Sequence, residues 1–388
     1  MRIKDIMFSL LGSEINMAQL NADIHKNFTH ETYEELYALS TKHDLSHIVA
    51  SALSRRGLLG NDDISVKFNK QLMMAVYRDS QKEYALDQLG TLLENAKIPH
   101  IMLKGAIIRK FYPQSWMRTS CDVDVLVQKQ DTEAAIELLC NAGYLRMEDS
   151  STHDYNFMSP NNVHIELHYT LSQEGQITSS DKIFDEVWKS YVVPTEGYNF
   201  RYDLTAEVFI LYHLAHMARH LLHGGCGVRP FIDLWLINKN MVVDNEKLNY
   251  LLNQANLLKF FELAVKLSNV WLENRKHSEN TALLENFILS GGVYGTTQNA
   301  AKVKAASGRG KINSFLSLMF LPKENLQVIY PNLKKYPLLY PFYQVKRWFG
   351  FFNKKKRNKI KHLTEQRGKV TVDDTNKTAE LLNQLGLN

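Results

Sequence analysis

Cysteine is scarce in this chain: Cys121, Cys140 and Cys226 lie far apart, are odd in number and form no C-x-x-C pair. This excludes a disulfide framework and suits a reducing interior. No uninterrupted apolar run is long enough to span a bilayer as a helix. The opening MRIKDIMFSLLGSEIN has neither a long apolar h-region nor a small-residue cleavage site, so no signal peptide is expected and the cytoplasm is the expected location. An excess of charge is also missing. The formal net charge is +5, but Lys354, Lys355, Lys356, Arg357, Lys359 and Lys361 supply six cations, so the rest of the chain carries −1. Basicity therefore gives no reason to expect nucleic-acid binding. No internal repeat is visible.

What is present is ordinary for a globular protein: 388 residues, 45% hydrophobic and 22% charged, enough for two or three domains. Residues 1–97 have few Gly or Pro and carry apolar residues at helical spacing, as at Leu72, Val76, Leu86, Leu89 and Leu93, so an N-terminal helical region is expected. His43 and His47 read as surface or half-buried helix positions. Within 98–172 the order is strand, helix, strand, strand, which implies a small mixed sheet with a helix on one face. Residues 131–142 read as a helix, capped by Asp131 or Thr132 and ended by Gly143. Helical patterns then fill much of a C-terminal region, 173–325, with a loop expected at 291–312. The remainder, 326–388, is an aromatic and basic extension whose last part is expected to be mobile.

The stretch around which the chain is organised is 98–127. An apolar run from Ile98 to Leu103 ends in Lys104-Gly105, and a polar, aromatic stretch leads to Cys121-Asp122-Val123-Asp124-Val125-Leu126-Val127. The β-branched run reads as a strand. Its alternation puts Asp122 and Asp124 on one face and the valines on the other. Two neighbouring carboxylates fit a Mg²⁺ site for phosphate chemistry; they fit about equally a strand with a solvated polar face. A second strand, Val163 to Tyr169, alternates cleanly and places His164, Glu166 and His168 together, with a hairpin to 153–158. Glu166 is the natural third carboxylate, to hold an ion or to take a proton from an acceptor hydroxyl. Gly105, at a strand-to-helix turn, lets phosphate oxygens approach the backbone. Lys104 or Arg118 would neutralise phosphate charge, or Arg118 forms a surface salt bridge.

These residues, together with Tyr112-Pro113 and a later Gly227-Val228-Arg229-Pro230-Phe231-Ile232-Asp233-Leu234, resemble an uncharacterised bacterial nucleotidyltransferase family within the polymerase-beta-like superfamily. The likeness spans roughly 30–345 and is strongest between 103 and 168. It implies an α+β fold: a small mixed β-sheet of minimal nucleotidyltransferase type between mostly helical N-terminal and C-terminal regions, with 98–172 as the nucleotidyltransferase-like core. It also implies transfer of a nucleoside monophosphate from a nucleoside triphosphate such as ATP, with Mg²⁺ (Mn²⁺ as the alternative) and release of pyrophosphate. By position Asp122, Asp124 and Glu166 would be the metal-binding and catalytic carboxylates, and Lys104, Gly105 and Arg118 the nucleotide-binding residues. The acceptor is not fixed by the resemblance. The superfamily's turn is usually Gly-Ser or Gly-Gly; here it is Gly105-Ala106.

Other residues carry weaker signals. His153 and His168 are candidates for substrate contact, or structural. His213, His216 and His220 share one helical face, but the glutamate of a zinc H-E-x-x-H helix is absent. His216 and His220 are therefore read as facing the nucleotide site or filling a polar seam. Arg229 either reaches a phosphate or acceptor or pairs with Asp233. Cys121 reads as buried strand packing. The aromatics before the Lys/Arg block in 336–361 suit a peripheral contact with an anionic membrane surface, or a solvated tail.

Overall fold

The computed structural model describes residues 2–18, 28–147, 153–172, 178–307, 323, 326–327, 330, 332–349 and 370–387. Four helices come first: α1 (Ile3–Ile15), α2 (His30–Lys42), α3 (Ser46–Ser54) and the 33-residue α4 (Asp63–Asn95). Thr29 starts α2 with a capping box, and the Asp62 carboxylate accepts from the Ile64 and Ser65 amides to start α4. The chain then lays down β1 (His100–Met102), α5 (Gly105–Ile108), β2 (Asp122–Val127), α6 (Thr132–Asn141), β3 (Leu145–Arg146), β4 (Asp154–Met158) and β5 (His164–His168). Two short helices, α7 (Asp181–Asp185) and α8 (Val187–Ser190), precede β6 (Val192–Pro194) and β7 (Arg201–Leu204). The rest is helical: α9 (Ala206–Leu222), α10 (Arg229–Asn240), α11 (Asn245–Gln254), α12 (Leu258–Glu273), α13 (Glu279–Gly291) and α14 (Thr297–Ala306), with further helices at Tyr340–Phe349 and Val372–Leu385.

The fold is α+β, with one mixed seven-stranded sheet ordered β3-β4-β5-β2-β1-β7-β6. Strand β2 runs parallel to β5 and antiparallel to β1, while β1 is parallel to β7. The sheet thus takes in Val192–Pro194 and Arg201–Leu204, within the region where the sequence pattern predicts helices. One sheet face is apolar: Val123, Val125, Val127, Ile165 and Leu167 pack with Leu89 and Leu93 of α4 and with Ala135, Ile136 and Leu139 of α6. On the other face Ile101, Leu103 and Leu126 join the larger core that includes α9 and α10.

Several expectations need correction. His43 and His47 are buried, not surface positions; the His47 imidazole reaches the Met117 carbonyl at 2.9 Å, which satisfies it there. Asp131 occupies the N-cap of α6 without a side-chain cap bond, while Thr132 Oγ1 donates to the Lys129 carbonyl. Residues 297–306, expected as loop, form α14, capped by Thr296. Within the part expected to be mobile, Val372–Leu385 forms a helix whose Leu381, Leu382 and Leu385 are buried against the helical core. Cys121 is exposed because the strand begins one residue later, at Asp122. No helix among the described residues is long and apolar enough to cross a membrane. The basic block 354–361 lies outside the described residues, whereas Leu338 and Phe342, just before it, are exposed.

Candidate active site

The site grows out of strand register. Parallel pairing of β2 with β5 sets Asp124 directly opposite Glu166, Asp122 opposite His164 and Leu126 opposite His168. Because side chains alternate, these acidic and histidine side chains share the face turned away from α4 and α6. Antiparallel pairing with β1 then brings Leu103 opposite Asp124, through the Leu103 amide and the Asp124 carbonyl at 3.0 Å. The next residue, Lys104, adopts φ 38° and ψ −105°, a strained conformation for a side chain other than glycine. That turn aims its ammonium back at Asp124 Oδ1, 3.1 Å away.

Asp124 is 4% exposed and is the electrostatic centre. Its Oδ1 also meets His168 Nε2 at 2.9 Å, and the same imidazole nitrogen lies 3.4 Å from Glu166 Oε2. Burial alone would raise the Asp124 carboxyl, but Lys104 and His168 overrule it and hold it well below the usual carboxylate range. His168 is fully buried, which disfavours its charge; hydrogen bonds to Asp124 and Glu166 outweigh that and lift it to about 9. Lys104, though buried, is raised above an ordinary lysine by Asp124, with Tyr212, Asp122 and Glu166 adding to the effect. Asp122 goes the other way from Asp124: burial, then repulsion from Asp124 and Glu166, raises its carboxyl.

Among the described residues, two groups of side chains could hold a metal ion. Asp124, Glu166 and His168 offer ligand atoms within 4.8 Å of one another, as do His153, Asp154 and His168. Asp122 belongs to neither group, although it shares the face of Asp124. His153 stands beside the site: its Nε2 is 2.9 Å from Asp154 Oδ2, and its ring stacks on His168 with centroids 5.8 Å apart.

Helix α9 covers the charged face. Lys104 Nζ lies over the Tyr212 ring at 5.6 Å, and burial pushes the Tyr212 hydroxyl up to about 12. One turn on, burial together with the charge of Lys104 drives His216 well below an ordinary histidine. His220, 3.0 Å from His216 between Nε2 atoms, is lowered by burial to about 4. Tyr212 was missed from sequence, yet its spacing signals it: Tyr212, His216 and His220 recur every four residues on one face.

The remaining basic residues sit where the chain enters β2. Arg118 is buried, with its guanidinium 3.0 Å from Asp233 Oδ2, and Tyr112 donates to Oδ1 of the same carboxylate at 2.7 Å. It also fills the space beside Gly105, where a Cβ would fall 2.6 Å from Arg118 Nη1. Asp233 is therefore the partner of Arg118, not of Arg229. Arg229 instead reaches Asp44 at 2.8 Å and Thr119 Oγ1 at 3.0 Å. Lys82, unmarked by any motif, donates to the Ser120 carbonyl and to Ser120 Oγ. The 118–120 segment is thus tied from three sides, which fixes the start of β2 and the position of Asp122.

A model of a family described as uncharacterised nucleotidyltransferase matches residues 29–273. No curated protein and no solved structure gives a significant match. The matched span contains helices α2–α12, all seven strands and every residue of the site described above.

Proposed function

The chain belongs to the uncharacterised nucleotidyltransferase family, and from that premise we propose that it moves a nucleoside monophosphate from a nucleoside triphosphate to a hydroxyl or phosphate acceptor, using a divalent cation, Mg²⁺ or Mn²⁺. The observation that carries this reading is the register: Asp124 faces Glu166 across a parallel strand pair, with Asp122 two residues earlier on the same face. The donor set suits the ion. Three carboxylates supply hard oxygens, and the Asp122 carboxyl, raised first by burial and then by repulsion from Asp124 and Glu166, is a group whose charge a cation would favour. Asp122, Asp124 and Glu166 would hold the ion, which when bound supplies charge neutralisation at the transferring phosphoryl group.

The chain's own residues do the rest. Lys104 keeps Asp124 ionised inside the fold and adds a fixed positive charge beside the phosphates. His168 holds its proton between Asp124 and Glu166 and orients both. Glu166, the more accessible of that pair with 24% of its side chain exposed, is placed to accept the proton of an acceptor hydroxyl. Arg118 acts by holding the 118–120 segment through Asp233. His153, His216 and His220 ring the site as candidate substrate contacts.

A second reading, an inactive protein that binds nucleotide and keeps the fold, is favoured by one observation: Asp124 Oδ1 already carries both Lys104 and His168. Turnover separates the two. Full-length protein incubated with each nucleoside triphosphate, Mg²⁺ and a panel of hydroxyl and phosphate acceptors should release pyrophosphate, and the Asp122→Asn and Asp124→Asn proteins should not. Tight nucleotide binding without release across that panel would establish the inactive reading instead.

A further inference from the structure

Beside the start of β2 lies a cavity of about 570 Å³, within the range of small-ligand sites. None of the three carboxylates lines it. It opens against α4 through Arg78, Asp79 and Lys82, against the 116–121 segment, and against Lys42, Asp44 and the Gly291–Thr296 loop. That loop lies beyond the span matched by the family model, which ends at residue 273.

The wall is built, not incidental. Backbone packs directly on backbone where the Gly291–Thr296 loop meets Gly224-Gly225. A Cβ on Gly295 would fall 2.4 Å from the Gly224 carbonyl carbon, and one on Gly224 would fall 2.8 Å from the Thr296 oxygen. The Thr296 amide donates to the Gly224 carbonyl, and the Val293 amide to the Lys42 carbonyl. Lys42 Nζ in turn caps the end of α13 at the Leu289 and Ser290 carbonyls.

The charges are unbalanced. Both lining carboxylates are already paired with cations that do not line the cavity: Asp44 with Arg229 and Asp79 with Arg109. Of the lining cations, Arg118 is taken by Asp233. Lys42 and Lys82 meet only neutral oxygens. Exposed Arg78 has no hydrogen-bond or ion-pair partner among the described residues. Three cations thus line one half-open cavity without an ion-paired carboxylate of their own, Lys82 feeling only the more distant charge of Asp122, and a wall of this sign concentrates anions. Burial lowers Lys82 to about 8, so an anion there would hold its proton. Trp116 and Tyr294 add aromatic surface.

We propose that this cavity binds a phosphate-bearing part of a substrate and places it next to the segment that leads into Asp122. The inference rests on the nucleotidyltransferase reading for what that phosphate belongs to, either the triphosphate of the donor or a phosphomonoester acceptor. It does not need turnover to be tested.

Cys121 supplies the reporter. Its thiol is exposed and lines the cavity, Cys140 is exposed elsewhere, and Cys226 is buried with its thiol pushed up to about 12. Full-length protein, without divalent ions, is treated with iodoacetamide, and alkylation at Cys121 and Cys140 is followed by peptide mass spectrometry. Inorganic phosphate, inorganic pyrophosphate, ATP and adenosine are compared. At about ten times Kd, the protecting anion slows Cys121 alkylation about tenfold and leaves Cys140 unchanged. Arg78→Ala, a change at an exposed and unpartnered side chain, removes most of the protection. Protection by pyrophosphate and ATP alone assigns the donor's tail; equal protection by inorganic phosphate assigns a phosphomonoester. The proposal is overturned if no anion protects Cys121, if adenosine protects as well as ATP, or if Arg78→Ala and Arg78→Glu both retain full protection. Failure of the nucleotidyltransferase reading would show differently, as absent pyrophosphate release from a protein whose Cys121 is still protected.

Discussion

Val123, Val125 and Val127 on one side of β2 meet α4 and α6 in a dry apolar layer, whereas Asp122 and Asp124 on the other side meet Lys104, Glu166 and His168 under α9. The two faces are alternate residues of a single six-residue strand. The apolar face gains from area removed from water and has no preferred chemistry. The charged face concentrates five ionisable groups, two of them, Asp124 and His168, buried, in an arrangement that folding alone does not reward, since buried ion pairs seldom repay their desolvation. Stability should therefore depend on the apolar face and activity on the charged one.

The sharpest break comes from substituting one residue on each face. Asp124→Asn should lower pyrophosphate release about a thousandfold, the equivalent of several kcal/mol of lost charge stabilisation. Ile165→Ala, on the fully buried apolar side of β5, should lower unfolding free energy by about 2–5 kcal/mol. The release per folded molecule should stay unchanged. Urea titration alongside the release assay measures both; a comparable activity loss in both variants would erase the distinction between the faces.

Within the charged face, Lys104→Met leaves Asp124 buried beside one remaining cation and should destabilise by about 3–5 kcal/mol. In the Asp124→Asn background the same change should matter much less, because the pair is already gone. A double-mutant cycle in urea reads the coupling, and simple additivity would show that the ammonium and carboxylate act independently.

Buried histidines without a carboxylate partner sharpen the contrast with His168. Burial, then the charge of Lys42, lowers His43 to about 4, and burial also lowers His47 and His100. Their folded-state values lie below the unfolded one, so the unfolded chain takes up protons first as pH drops. The stability they lend is complete above about pH 6.5 and is lost as pH falls towards about 4, at about 3 kcal/mol for His43. Urea midpoints measured across that window should fall, and His43→Leu should flatten the fall. A slope unchanged in that variant would remove His43 from the account.

How much of this was readable in sequence follows from range. Strands β2 and β5 announce themselves through alternation, and Asp122, Asp124 and Glu166 follow as members of one polar face. Strands β6 and β7 do not: they are three and four residues long, and Pro194 sits in one of them. Helix α14 was hidden by its Thr, Lys and Ala composition, and few of its side chains are buried. The pairing of Arg118 with Asp233, 115 residues apart, and the turn at Lys104 that creates the Asp124 ion pair, depend on tertiary placement that no local pattern encodes. The exposure of Cys121 hinges on a one-residue strand boundary, the least legible quantity in any sequence.

The smallest expected effect separates backbone from contact. Gly143 ends α6, on the apolar side, with φ +85°, and an added Cβ would meet nothing closer than Pro160 Cγ at 3.9 Å. Gly143→Ala should therefore lower stability by about 1 kcal/mol through conformational strain alone, with release unaffected. Gly105 poses the opposite case: its φ is not in the left-handed region, but its Cβ would press on the Arg118 guanidinium. Gly105→Ala must shift the Arg118 guanidinium that holds Asp233, loosening the segment that fixes Asp122, so its effect should appear in turnover more than in the urea midpoint. If Gly143→Ala proved the more damaging to release, the separation of a stabilising face from a reacting one would fail at its most delicate point.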